Sequence, residues 1–247
     1  NYNFISTSKR KKYLKKNIFL NLSNIRNFKI PKNIDSAIFL AFINDFYECE
    51  KRYNYAHKIN CINIPILIKR LIKKNIFVCF VSTNVIFQNK KKIPKEDSLP
   101  NPKTKRGKMT LITEKKILHY VKKEKKEKFL SILRMTKNID SNTRPFTDWI
   151  KKINKNKFFY AFKDLYFSPV TFTDSVNILF KILKKKLHGI FHISGKKDIS
   201  YSDFAKKFLA YNKLNDNLAK PCLSHEKNVK LLYNHSITAL NMSKTTK

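Results

Sequence analysis

Apolar positions along this chain fall into short runs that alternate between two periods. Residues 37–42 and 76–83 are near-continuous apolar runs, rich in β-branched and aromatic side chains, and read as buried strands. Between them, residues 47–73 carry helical spacing, interrupted at Pro65, which removes a backbone donor and is expected to break or kink the helix. A polar, proline-punctuated loop is expected from residue 88 to 108. A helix should follow over 109–127, where Leu111, Ile112, Ile117, Leu118 and Val121 can share one face. Further along, the pattern predicts strands at 129–135, 158–162 and 189–194, and helices at 145–153, 173–185 and 200–211. Ser200 is placed to cap the last of these, with Asp203 three positions on. Two more short strands are expected near the start, at 2–6 and 17–22. This alternation argues an α/β fold with a parallel sheet flanked by helices.

Composition changes the picture in two ways. No apolar stretch approaches the ~20 residues of a membrane span, no secretory signal pattern opens the chain, and a cytoplasmic protein is expected. The charge is extreme: 53 Lys+Arg against 17 Asp+Glu, a formal +36. Such a chain attracts nucleic acid, anionic membrane or polyphosphate at low salt. A blander origin is open too. Only 3 Gly beside abundant Lys, Asn, Ile and Phe is what A/T-rich codon drift produces. Cys49, Cys61, Cys79 and Cys222 form no Cys-x-x-Cys pair and have no histidines at zinc-ligand spacing, so no metal site is expected.

Several ordered motifs carry a resemblance. Val81-Ser82-Thr83-Asn84-Val85-Ile86-Phe87 closes a buried strand. Ile93-Pro94-Lys95-Glu96-Asp97 and Pro100-Asn101-Pro102 follow, and then Gly107 leads into a helix holding Glu114. Upstream lie Ala41 through Glu50, Ala56 and Asn60. Downstream come Leu133-Arg134, Asp164, Ser168-Pro169-Val170 and Asp174, then Gly189 through Gly195, Tyr201 through Ala205, and the tail from Pro221 to Lys244. In this order they resemble the dTDP-4-dehydrorhamnose reductase family and its sugar-nucleotide-binding relatives among the extended short-chain dehydrogenases. The resemblance spans nearly the whole chain.

It implies a Rossmann-like doubly wound parallel sheet with a small C-terminal substrate lobe. The first strand of that sheet and its Gly-x-x-Gly-x-x-Gly turn have no counterpart in this sequence, whose glycines are Gly107, Gly189 and Gly195. By the family's pattern the chain begins near the second strand, and a fragment of a longer protein is expected. An incomplete dinucleotide-binding domain is expected over 1–135, with the remaining sheet and the substrate lobe, interleaved with it, over 136–247.

The resemblance also implies NAD(P) as cofactor and a nucleotide sugar as ligand. A tyrosine phenol would protonate the sugar carbonyl, a lysine four residues later would lower that phenol's pKa, and a Ser or Thr at the strand end would bind the same oxygen. Thr83 matches the last role. The register set by Pro102, Gly107 and Glu114 puts Arg106 at the tyrosine position and Thr110 at the lysine position. Arginine stays protonated and is a poor acid, and threonine supplies no charge. A Tyr47…Lys51 string precedes the Thr83 strand and sits on the wrong loop. Ala41, Phe42 and Asn60 match cofactor-side positions, with Phe42 crowding one that is usually glycine. Arg134 and Asp164 match substrate-side positions.

Three readings stay open. One is a catalytically impaired member that still binds a nucleotide sugar. The second is an active reductase using an acid that the sequence does not reveal. The third is a basic scaffold or nucleic-acid-associated protein reusing the fold. Its carriers would be Lys90–Lys92, Lys103, Lys105, Arg106 and Lys108 in loop 90–108, with Lys115, Lys116, Lys122, Lys123, Lys125 and Lys126 on helix 109–127. The sequence leaves oligomeric state undetermined.

Overall fold

A computed structural model of the chain describes residues 3–10, 17–88, 92–140, 142–229 and 236–246. These fall into two compact units, one within residues 1–80, 105–131 and 186–189, the other within 81–104, 132–185 and 190–247.

The first unit opens with two short strands, β1 (Ser6–Ser8) and β2 (Asn17–Phe19), paired in parallel. β1 is displaced from the expected 2–6 and shares only Ser6 with it, β2 is shorter than the expected 17–22, and Tyr2 lies outside the described residues. Strand β3 (Ser36–Phe39) runs parallel to the first residues of β4 (Phe77–Thr83), with Phe39 opposite Phe80. In β4, Phe77, Val78, Cys79 and Phe80 are all buried, as a strand covered on both faces requires. Burial pushes the Cys79 thiol up to about 12, partly offset by a hydrogen bond with Ser131, so it stays an inert thiol.

The helical stretch between these strands is segmented into α1 (Phe46–Lys51), α2 (Tyr53–His57), a π-turn over Lys58–Asn63, and α3 (Ile64–Lys73). Helical dihedrals are left at Arg52 and not at Pro65, which sits in the first turn of α3, where the preceding π-turn accommodates its missing N–H. Leu67, Ile68, Leu71 and Ile72 bury one face of α3, each contributing about 1.5–3 kcal/mol.

Helix α4 (Lys105–Lys123) starts four residues earlier than its apolar periodicity suggests and stops four residues sooner than expected, before Lys125, whose φ of 52° leaves the helical region. Just before the helix, in the second unit, the Gln88 side-chain oxygen accepts from the backbone N–H groups of Lys103 and Thr104. Met109, Thr113, Ile117 and Val121, spaced by four, are the buried stripe of α4.

Strand β5 (Leu130–Met135) passes, like β4, from one unit into the other. The second unit continues with β6 (Lys137–Ile139), α5 (Phe146–Ile153), β7 (Phe159–Phe162), β8 (Tyr166–Phe167), β9 (Pro169–Thr171), α6 (Phe172–Lys185), β10 (Gly189–Ile193), β11 (Ile199–Ser200), α7 (Tyr201–Tyr211) and β12 (Ala219–Cys222). The largest sheet has the order β10-β5-β4-β3. The pairs β6/β9 and β7/β12 are parallel, and β8/β11 is antiparallel. The protein is an α/β fold built on parallel strands. None of its described helices is long and apolar enough to cross a membrane.

The second unit has an aromatic core of Phe146, Trp149, Phe159 and Phe167, joined by Ala205 and Leu209 from α7. The Ser200 hydroxyl caps α7, accepting from the Asp203 N–H at 3.0 Å and donating to its carboxylate at 2.7 Å. Gly195 is required by close approach: a Cβ there would strike the Pro169 carbonyl and lie 2.8 Å from Ser168 Oγ.

Candidate functional site

In the first unit, Arg106 and Thr110 share the opening of α4. The Thr110 hydroxyl is turned back along its own helix, donating to the Arg106 carbonyl at 3.0 Å, and the residue is 1% exposed. The Arg106 guanidinium lies 4.7 Å from the Phe46 ring centre, a cation–π contact. Asn60, fully buried, holds the backbone of Ile43: its oxygen accepts from Ile43 N–H and its nitrogen donates to Ile43 C=O, both at 2.9 Å, and the nitrogen also reaches Met109 Sδ at 3.8 Å. That clamp holds the segment after β3, where Ala41 is exposed and Phe42 turns inward against Phe80 and the cluster of Cys49, Ala56, Cys61 and Met109. Tyr47 is two-thirds exposed on α1, with the Lys51 ammonium 6.0 Å from its ring.

The basic residues of this region are partly tethers of the fold. Lys105 pairs with Glu50 at 3.2 Å, Lys116 Nζ donates to the Cys61 carbonyl at 2.8 Å, and Lys126 Nζ donates to the Asn75 side chain at 2.8 Å. Lys105, Arg106 and Lys108 belong to the first turn of α4 rather than to a loop, because the helix begins at Lys105. Lys90 and Lys91 lie outside the described residues.

In the second unit, Thr83 ends β4 and caps the short turn that follows, its hydroxyl accepting from Val85 N–H at 3.4 Å and donating to the Asn84 side chain at 3.2 Å. Arg134 is 4% exposed, donates to the Glu96 carbonyl at 3.0 Å, and lies over the Phe87 ring. Asp164 stands elsewhere, accepting from the Ser224 N–H and hydroxyl. Burial acts to raise its pKa, but these hydrogen bonds and the nearby His225 outweigh it, and the net shift is downward. Thus Arg106 and Thr110 come together, as do Phe42 and Asn60 around one loop, while Asp164 is engaged with its own local turn.

The sequence did not single out the cavity of this second unit. It measures about 270 Å³ and is walled by Trp149, Tyr160, Phe162, Leu165, Tyr166 and Tyr201. Trp149 is the chain's single tryptophan. Tyr201 stacks on Phe167 with ring centres 4.4 Å apart, and its phenol oxygen accepts from Lys137 Nζ at 2.9 Å. Burial pulls the Lys137 pKa down to about 8. Aromatic walls with a few polar groups at the edge suit a flat ring. Nothing in local periodicity reveals this site, whose walls come from α5, β7, β8 and α7.

Among the described residues, no group of three or more His, Cys, Asp or Glu side chains is placed to hold a metal ion.

The family model described as the RmlD substrate binding domain matches residues 8–245. The chain belongs to this RmlD substrate binding domain family. No curated protein matches it. Solved structures do: a dTDP-4-dehydrorhamnose reductase of Clostridium acetobutylicum is 20% identical, with a TM-score of 0.74 over 94% of this chain and 84% of that one. The dTDP-4-dehydrorhamnose reductase of Bacillus anthracis, solved in complex with NADP, is 18% identical, with a TM-score of 0.77 over 94% and 85%. MoeE5, solved in complex with UDP-glucuronic acid and NAD, is 14% identical, with a TM-score of 0.75 over 98% and 82%. At these identities the likeness establishes that this RmlD-family chain shares their fold.

Proposed function

We propose that this chain binds a nucleotide sugar and is impaired in the reduction that its family resemblance implies. The observation that carries the reading is the opening of α4. There a guanidinium resting on Phe46 and a hydroxyl bonded into its own helix stand where proton transfer to a sugar carbonyl needs a phenol and an ammonium. Thr83 retains a hydroxyl at the strand end, committed to capping.

The residues present do not fit NAD(P). A pyrophosphate is held by backbone N–H groups at a glycine-rich turn between strand and helix. Gly107 lies inside α4, Gly189 opens β10, and Gly195 is filled against the Pro169 carbonyl. Asn60 has both ends of its amide on Ile43, and Phe42 packs inward. No catalytic step is therefore routed through a nicotinamide here.

Binding of the nucleotide sugar is supported by the aromatic cavity of the second unit, where Trp149 and three tyrosines offer stacking faces. Residues 136–247, expected from the sequence to hold the substrate lobe, contain every one of its walls. The test is a titration of the whole chain with dTDP-glucose at moderate salt, followed by Trp149 emission and by calorimetry. Saturable binding that changes the emission is expected, with no comparable response to NADPH. Absence of any nucleotide-sugar binding sinks the reading.

A further inference from the structure

We propose that Lys137, acting through the Tyr201 phenol, gives the aromatic cavity of the second unit a preference for ligands that place an anionic group beside Tyr201. This rests on the nucleotide-sugar reading and adds to it a recognition element at the cavity edge.

Lys137 occupies a place that does not suit a lysine. Lys137 opens β6, and β9 and α6 pack on that strand. Its ammonium faces rings: the Phe146 centre is 5.8 Å away and the Tyr201 centre 5.3 Å. It forms one hydrogen bond to a side chain, donated to the Tyr201 oxygen, and no carboxylate pairs with it among the described residues. A half-buried ammonium without a counter-ion is costly, and cation–π contacts offset only part of that.

The acids on surrounding elements are committed elsewhere. Asp148 of α5 reaches toward Arg144, Asp174 of α6 is bonded to Thr171, and Asp203 of α7 is held by Ser200; β9 carries no ionisable side chain. Burial alone depresses the Lys137 pKa, to about 8, so the amine changes charge just above neutrality. Tyr201 is at once its hydrogen-bond partner and a wall of the cavity, and none of the cavity's lining residues carries a carboxylate. An anion arriving beside the phenol would supply the missing counter-charge, strengthening the Tyr201 hydrogen bond toward it. Lys137 is therefore a positioning residue, and Tyr201 is the group that touches the ligand.

Two parts of a nucleotide sugar supply such an anion, the diphosphate and the carboxylate of a sugar acid. The experiment follows Trp149 emission on titration with thymidine, thymidine 5′-diphosphate, UDP-glucose and UDP-glucuronic acid, using the whole wild-type chain and Lys137→Met, over pH 6.5 to 9.5. Methionine keeps the volume and removes the charge. The expected result is a loss of about ten-fold in affinity for anionic probes in Lys137→Met, with thymidine unchanged. Wild-type affinity should rise as pH falls through about 8, and the variant's profile should be flat. A loss seen with thymidine 5′-diphosphate assigns the diphosphate to Lys137. A loss confined to UDP-glucuronic acid assigns the sugar carboxylate.

If Lys137→Met binds every anionic probe with wild-type affinity and an unaltered pH profile, the inference is overturned while nucleotide binding stands. Should no probe perturb Trp149 in the wild type, and calorimetry also show no binding, the inference falls together with the reading beneath it.

Discussion

Lys116 reaches from α4 to the Cys61 carbonyl at 2.8 Å, and one turn earlier Thr113 donates its hydroxyl to the Asn60 carbonyl, also at 2.8 Å. These two oxygens lie four and five residues before Pro65, which has no N–H to offer either an α- or a π-helical bond. The π-turn and the side chains of α4 are thus one solution to a single missing donor.

Removing the buried donor should cost more than removing the partly solvated one. Thr113→Val leaves the Asn60 carbonyl without its side-chain donor in a fully buried place, and about 2 kcal/mol of stability is expected to be lost. Lys116→Met should cost about 1 kcal/mol, since water can reach the exposed Lys116 site. Urea unfolding of both variants and their double mutant checks this, and equal small effects for the two would contradict it.

His192 makes stability fall in mild acid. It is fully buried; its Nδ1 lies 3.0 Å from the Asn241 carbonyl, which requires the neutral Nδ1–H tautomer, and Nε2 has no hydrogen-bond partner. Burial first and the Arg134 charge second pull its pKa down to about 4, against the weaker upward effect of the Asn241 bond. The unfolded chain therefore binds a proton that the folded one refuses. The contribution is complete above about pH 6.5 and is lost as pH falls toward 4, amounting to about 3 kcal/mol. Urea midpoints across that window should decline in the wild type and decline less in His192→Phe.

Lys137 follows the same arithmetic in a higher pH window. Its folded pKa of about 8 lies below the ordinary 10.5, so the unfolded state holds the extra proton between those values. Stability should rise as pH climbs from 8 to 10.5, relieving the cost of charging a half-buried amine. At pH 7, Lys137→Met is expected to stabilise the free protein by about 1–2 kcal/mol, discounted because the residue is partly solvated. Thermal unfolding on both sides of pH 8 decides this: a destabilised variant at pH 7 would mean that the Tyr201 and Phe146 contacts outweigh desolvation.

Much of the fold was legible where burial on both faces leaves few options, as in β4. The run at 76–83 emerges as β4, that at 37–42 as the shorter β3, which ends at Phe39 before the exposed Leu40 and Ala41, and Ser200 caps α7 as its spacing implies. The start of α4 was not legible from apolar periodicity, and the residues just before it, Lys103 and Thr104, are held by a side chain far upstream, Gln88. Gly107 and Thr110 could be placed in register, but that Thr110 bonds Arg106 and Asn60 clamps Ile43 depends on packing that no motif states. Lys137 was hidden among 53 basic residues, and only its rings and burial distinguish it.

Catalysis provides the last test. A positioned acid contributes about 10²–10⁴-fold to a proton transfer, and at α4 neither Arg106 nor Thr110 can act as one. Mixed with NADPH and a 4-keto sugar nucleotide, the chain should show no substrate-dependent oxidation above a buffer control, and Thr83→Val should leave that background unchanged. Restoring chemistry by Arg106→Tyr with Thr110→Lys should also fail, because position 110 is 1% exposed and a lysine there would have to carry its charge out of a buried turn. Absorbance of NADPH over hours reads all three proteins. A substrate-dependent rate that Thr83→Val abolishes would place an acid beside that hydroxyl after all, and would remove the case for lost catalysis.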